Sequence, residues 1–230
     1  MTIYILAAAC VAMSFPTAIL RHKGHEKLRY ISKLAAALLF CATALAAMIE
    51  RTQPMNFVTM MMLAGLFLGF MGDVILGLDR FVRPEGRGNL LLIGALPFFL
   101  GHIAYIVAML SWGELNPWLL FIIPFSVVGF WLITKVLPIE KYLTPFLLYS
   151  LVLSGLMITT LSIAIAQRGT PLGAIMIAPG IIFTISDVSL LFDRFYGIKE
   201  NQKKKPVFGY MVAIPYFSAQ ALFALAMRYL

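Results

Sequence analysis

The sequence predicts an all-α polytopic membrane protein, a helical bundle of eight transmembrane helices, and three observations carry that expectation. Apolar residues make up 61% of the 230 and charged residues only 12%, against about 45–50% and 25% in soluble domains. The apolar residues fall into eight runs, each near the roughly 20 residues that a helix needs to cross a hydrocarbon core of about 30 Å. The basic residues between the runs lie almost entirely on one side. A formal charge of +8 therefore suits anionic lipid head groups and not nucleic acid. Cys10 and Cys41 both lie within apolar runs, which makes them packing residues and excludes a disulfide-stapled secreted module.

The runs cover about 2–20, 31–49, 56–78, 89–110, 115–134, 142–166, 171–192 and 207–228. The first is expected to remain as a span, because Met1 to Ala9 contains no Lys or Arg to form the basic start of a cleaved signal. The second follows a basic loop holding Arg21, Lys23, Lys27, Arg29 and Lys33. The third carries Gly65, Gly69, Asp73 and Gly77, a small stripe at every fourth residue that should face protein rather than lipid. The fourth contains Pro97 and the one histidine expected inside a span, His102, on a face with Phe98 and Tyr105. The fifth and sixth rest on hydrophobicity and on Lys135 and Lys141 between them. The seventh places Gly173, Gly180 and Asp187 on one face, and the eighth carries Pro215, Tyr216 and Gln220. Short loops leave no room for a soluble domain, so residues 1–230 form one integral membrane domain.

Fifteen of the eighteen Lys and Arg residues follow odd-numbered runs. Only Arg51, Arg168 and Arg228 fall on the other side. Basic residues are retained in the cytoplasm, so the expectation is an inner cell membrane protein with both termini outside. An internal repeat also shows: Asp73-Val-Ile-Leu-Gly-Leu-Asp79-Arg80-Phe81 and Asp187-Val-Ser-Leu-Leu-Phe-Asp193-Arg194-Phe195 share six of nine positions at an offset of 114. A weaker echo relates Pro97, Phe99, Ala108 and Met109 to Pro215, Phe217, Ala226 and Met227. Halves of about 1–112 and 113–230 would then form a parallel 4+4 repeat.

Eight of the ten acids fall in loops or at span ends, and Asp73 and Asp187 do not. Each lies six residues before the acidic end of its span, about 9 Å deeper at 1.5 Å per residue, and no basic residue is expected at comparable depth. A carboxylate at the bilayer centre costs about 2.5–3.5 kcal/mol on insertion scales and normally faces a bundle interior or a water-filled cavity. Two such acids at matching repeat positions predict one shared polar site. Arg80 and Arg194, at the basic interface, are candidate contacts for a lipid head group. No metal or cofactor is expected: paired His and Cys spacings, a G-x-S-x-G elbow and a phosphate-cradling loop are all missing from the sequence.

Gly72-Asp73-Val-Ile-Leu, Gly101-His102 with Tyr105, Ser186-Asp187-Val-Ser-Leu with Asp193-Arg194-Phe195, and Tyr216 with Ala219-Gln220 occur in span order over nearly the whole chain. In this the sequence resembles the YhhN family of eight-span proteins, which includes the lysoplasmalogenases. Phe217 stands where that family often has a second tyrosine. The resemblance implies hydrolysis of the vinyl ether bond of a lysoplasmalogen, a lysophospholipid, to a fatty aldehyde and glycerophosphoethanolamine or glycerophosphocholine. Protonation of the double bond by one carboxylic acid would give an oxocarbenium ion, and a second, ionised carboxylate would stabilise it and orient water, as paired acids do in glycoside hydrolysis. Asp187 is assigned as acid and Asp73 as partner, although the repeat leaves that choice open. His102, Tyr105, Tyr216 and Gln220 would orient water or substrate, and Arg80 and Arg194 would bind it. Two other classes stay open: a proton- or solute-carrying transporter with its site at the repeat interface, and a protein that binds lysolipid without consuming it.

Overall fold

A computed structural model describes residues 1–51, 54–82, 90–196 and 206–230. Among these the chain is helical without strands: α1 (Thr2–His22), α2 (Glu26–Glu50), α3 (Phe57–Val82), α4 (Leu90–Trp112), α5 (Ile122–Val136), α6 (Leu143–Ala166), α7 (Pro171–Met176), α8 (Pro179–Phe195) and α9 (Pro206–Ala226). Short 3₁₀ turns, Pro117–Phe121 and Glu140–Tyr142, lead into α5 and α6. Eight helical segments are long and apolar enough to cross a membrane, and the seventh is made of α7 and α8 in sequence. The protein is therefore an all-helical, multi-pass membrane protein, in line with the eight runs.

Two departures from the expected spans affect the site. The second helix begins at Glu26 and not near residue 31. Lys33 consequently lies two turns inside it, about 10 Å from its start, which corrects the expectation that no basic residue is embedded as deeply as the two aspartates. The loop is shorter because Gly24 takes a left-handed turn, φ 75°, that lets α2 start at once. The seventh span is broken between Met176 and Pro179. Proline has no N–H to extend a preceding helix but suits the first position of a new one, so α8 restarts at Pro179. Pro97 and Pro215, by contrast, lie inside continuous helices.

Packing is most extensive between α1 and α2, α3 and α4, α8 and α9, and α1 and α9, while α6 contacts α4, α5 and α8. One large apolar core includes Phe40, Met62, Tyr105, Met109, Phe183, Phe217 and Phe223. A smaller cluster of Phe130, Leu137, Ile139, Phe146 and Phe195 closes the end of the bundle where α5 ends and α6 begins. The fifth span is the outlier. Only 11% of its hydrophobic window is buried against protein, compared with 33–50% in the other seven, so most of its surface is left uncovered by the rest of the described chain.

Candidate functional site: a polar cavity at the basic end of the bundle

Asp73 lies near the middle of α3 and is buried. The glycine stripe beneath it explains how. At Gly69 a Cβ would overlap the Gln220 side-chain amide, so the absence of a side chain lets α9 come close, and the stripe faces protein as expected. Asp73 then reaches two partners on other helices. Its Oδ2 accepts a hydrogen bond from the Tyr216 hydroxyl of α9 at 2.7 Å, and its Oδ1 pairs with Lys33 Nζ of α2 at 2.9 Å. A chain of hydrogen bonds continues behind Tyr216: Gln220 Nε2 donates to the Tyr216 oxygen at 3.3 Å, and the Tyr105 hydroxyl of α4 donates to Gln220 Oε1 at 2.6 Å. Phe98 and Phe183 meet the Tyr216 ring edge-on at 5.7 and 5.5 Å between centroids, a favoured geometry that fixes its orientation.

Asp187 lies on α8. Gly180, two turns earlier, sits where a Cβ would overlap Thr160 of α6 and crowd the backbone at Met157. That close approach of α8 to α6 leads Asp187 to Tyr149 of α6, whose hydroxyl donates to Asp187 Oδ2 at 2.8 Å. Unlike Asp73, Asp187 is partly exposed, and among the described residues it has no ion pair.

Both aspartates line one cavity of about 310 Å³. Its wall also includes Tyr149, Tyr216, Lys33 and hydroxyl residues such as Ser150, Ser154 and Thr184. Ser150, Ser154 and Thr184 donate to carbonyls of their own helices, Leu147, Ser150 and Gly180 respectively, and their oxygens remain able to accept from a guest or water. Ser186 donates across to the Val212 carbonyl of α9 at 2.9 Å, close to Pro215, where a neighbouring hydroxyl helps satisfy backbone near a proline. Towards the basic loops the wall carries Arg21, Arg29 and Arg194. Arg21 is ion-paired with Asp193, and Arg29 Nε with Glu26 at 2.6 Å.

Of the residues expected from sequence, Asp73, Asp187, Tyr216 and Arg194 thus share the cavity wall. Tyr105, Gln220 and His102 do not line it. Tyr105 and Gln220 stand behind Tyr216 as its support. His102 is buried, with its ring edge-on to Phe183 and Tyr149 at 4.5 and 5.6 Å and neither nitrogen hydrogen-bonded among the described residues; it meets the site through the wall residue Tyr149 and through Phe183, which packs on Tyr216. The side chain of Arg80 falls outside the described residues. Sequence reasoning missed Lys33, Tyr149, Arg21 and Arg29. Lys33 and Arg29 were signalled by an apolar-basic alternation at the start of α2, while Tyr149 carried no local signal.

No curated protein and no solved structure matches the chain. The family model of the YhhN family matches residues 28–227, a stretch that holds α3 to α9 and nearly all of α2, and with them both aspartates, Lys33, Tyr149 and Tyr216. The chain belongs to the YhhN family.

Proposed function

We propose that the protein is an intramembrane hydrolase that cleaves the vinyl ether bond of lysoplasmalogens in the cell membrane, with Asp187 as the acid and Asp73 as its carboxylate partner. The observation that carries this reading is that two embedded carboxyl groups share one cavity but have unlike partners. The Lys33 ammonium balances a negative charge on Asp73. Asp187 meets a neutral phenol and opens to the cavity, which suits a group that must hold a proton and then deliver it.

In the first step Asp187 gives its proton to the outer carbon of the vinyl ether, and the electron pair of the double bond forms the new C–H bond. The resulting oxocarbenium ion is stabilised by the Asp73 carboxylate. Water adds to the cationic carbon and passes a proton to Asp187, which restores the acid. The hemiacetal then collapses: its hydroxyl gives up a proton as the aldehyde carbonyl forms, the carbon–oxygen bond to glycerol breaks, the glycerol oxygen takes up one proton, and a fatty aldehyde and a glycerophospho-alcohol leave. Tyr149 and Tyr216 hold the two carboxyl groups, and the cavity hydroxyls position water.

The test is aldehyde release from lysoplasmenylethanolamine by purified protein in detergent. Asp73→Asn and Asp187→Asn should each abolish it while the protein stays folded. Normal turnover in both variants overturns the mechanism. A proteoliposome solute flux that depends on both aspartates, without lipid turnover, would instead make the cavity a transport site.

A further inference from the structure

We infer that the basic end of the cavity, formed by Arg21, Arg29 and Arg194, is a binding site for the phosphate of a lysophospholipid, whose chain leaves the cavity along α5. The first observation is composition: three guanidinium groups from three helices, α1, α2 and α8, meet on the wall of one cavity. Arginine presents a planar fork of donors that matches phosphate oxygens, and each group has five N–H donors. The ion pairs of Arg21 with Asp193 and of Arg29 with Glu26 fix these side chains in place before a ligand arrives, which lowers the entropy lost on binding.

The second observation is spacing. Arg194 follows Asp187 by seven residues on the continuous helix α8, which separates their levels by about 10 Å. In a lysoplasmalogen about seven bonds separate the phosphorus from the vinyl carbon that takes the proton, and an extended chain advances about 1.2 Å per bond, giving about 8 Å. A phosphate among the arginines therefore puts the reactive carbon at the level of Asp187. This registration rests on the proposed hydrolysis; the phosphate site itself does not.

The third observation is the exit. The cavity wall includes Ser126, Gly129, Phe130 and Ile133 of α5, the helix least buried against protein. A cavity of about 310 Å³ is at the small end of ligand sites, about 300–1,000 Å³, and suits a head group and the first part of a chain. The rest of the chain has an apolar route into lipid beside α5. Under the positive-inside rule the phosphate end faces the cytoplasm, so the substrate is drawn from the cytoplasmic leaflet.

The experiment measures binding to purified full-length protein in lipid nanodiscs, using a saturated 1-alkyl lysophosphoethanolamine, the 1-alkylglycerol of equal chain length, and water-soluble glycerophosphoethanolamine. The alkyl lysophospholipid should bind about tenfold or more tighter than the alkylglycerol, as expected for a charge-assisted phosphate contact. Arg194→Gln and, separately, Arg29→Gln should each reduce that ratio several-fold, and Arg194→Lys should restore part of it. Equal binding of the two lipids, or ratios unchanged in both glutamine variants, overturns the proposal. Glycerophosphoethanolamine binding as tightly as the lysolipid overturns it too, since the ligand would then be a free phosphate compound. None of these ligands contains a vinyl ether, so binding is read apart from turnover: a phosphate preference here, together with no aldehyde from lysoplasmenylethanolamine in the separate assay, would sink the hydrolase reading alone.

Discussion

Asp73 is held by three side-chain layers from three other helices, Lys33, Tyr216 and the Gln220–Tyr105 pair behind it, whereas Asp187 is held by Tyr149 alone among the polar side chains of the described residues. Both line the cavity, but Asp73 is buried and Asp187 is partly exposed. The two carboxyl groups occupy matching positions in similar nine-residue segments. Similar local sequence has therefore been given two electrostatic settings by helices distant in the chain. A cation contact fixes a charge, and a neutral donor with access to solvent leaves a proton free to move. That difference is the ground for the proposed division of roles between Asp187 and Asp73.

The largest effect is expected at Asp187. Asp187→Asn should reduce aldehyde release by about 10²–10⁴-fold, the range for a positioned general acid, with little change in thermal unfolding, because an amide also accepts the Tyr149 hydrogen bond. An equal loss of stability in Asp73→Asn and Asp187→Asn would erase the distinction. Next comes the ion pair: Lys33→Met leaves a buried carboxylate without its cation and should cost about 3–5 kcal/mol, read as a lower unfolding midpoint in detergent. The double variant Lys33→Met with Asp73→Asn should recover most of that midpoint without recovering turnover.

Smaller effects separate the tyrosines. Tyr149→Phe removes the hydroxyl that donates to Asp187 and should lower kcat about tenfold, in keeping with a lost hydrogen bond to a reacting group. Tyr216→Phe should cost less in kcat, since Lys33 still holds Asp73. Gly69→Ala displaces the Gln220 amide and should act like a mild Tyr216→Phe with an overpacking cost of about 1–3 kcal/mol. The smallest change is expected at His102. Its nitrogens have no hydrogen-bond partner among the described residues and it does not line the cavity, so His102→Phe should keep turnover within a few-fold and leave the unfolding midpoint level or higher.

Much of this was legible in the sequence because membrane solvation is unforgiving. Runs of apolar residues mark helices, and an acid far from the interface stands out against them. Asp73 and Asp187 stood out in that way, Tyr216 through its shared helix face with Gln220 and the family motif, and Gly69 correctly oriented the third span. Lys33 was not, because a basic residue near a loop is counted towards topology, and one early helix start moved it two turns into α2. Tyr149 was missed for a different reason. A tyrosine in an apolar run looks like an interface or packing residue, and only the close α6–α8 approach at Gly180 gives it a carboxylate to hold. Gln220 lies one layer behind the cavity wall, bonded to Tyr216, because its spacing from Tyr216 shows a shared face but not depth.

The sparsely packed fifth helix makes the surrounding bilayer a working part of this protein. One wall of the cavity is braced by α6 on its inner side and has little other protein behind it, which leaves that surface to the bilayer. Lateral pressure and thickness of the host membrane then set how firmly that wall stands. Rates obtained in micelles and in bilayers should differ for this reason even with identical substrate and an intact fold.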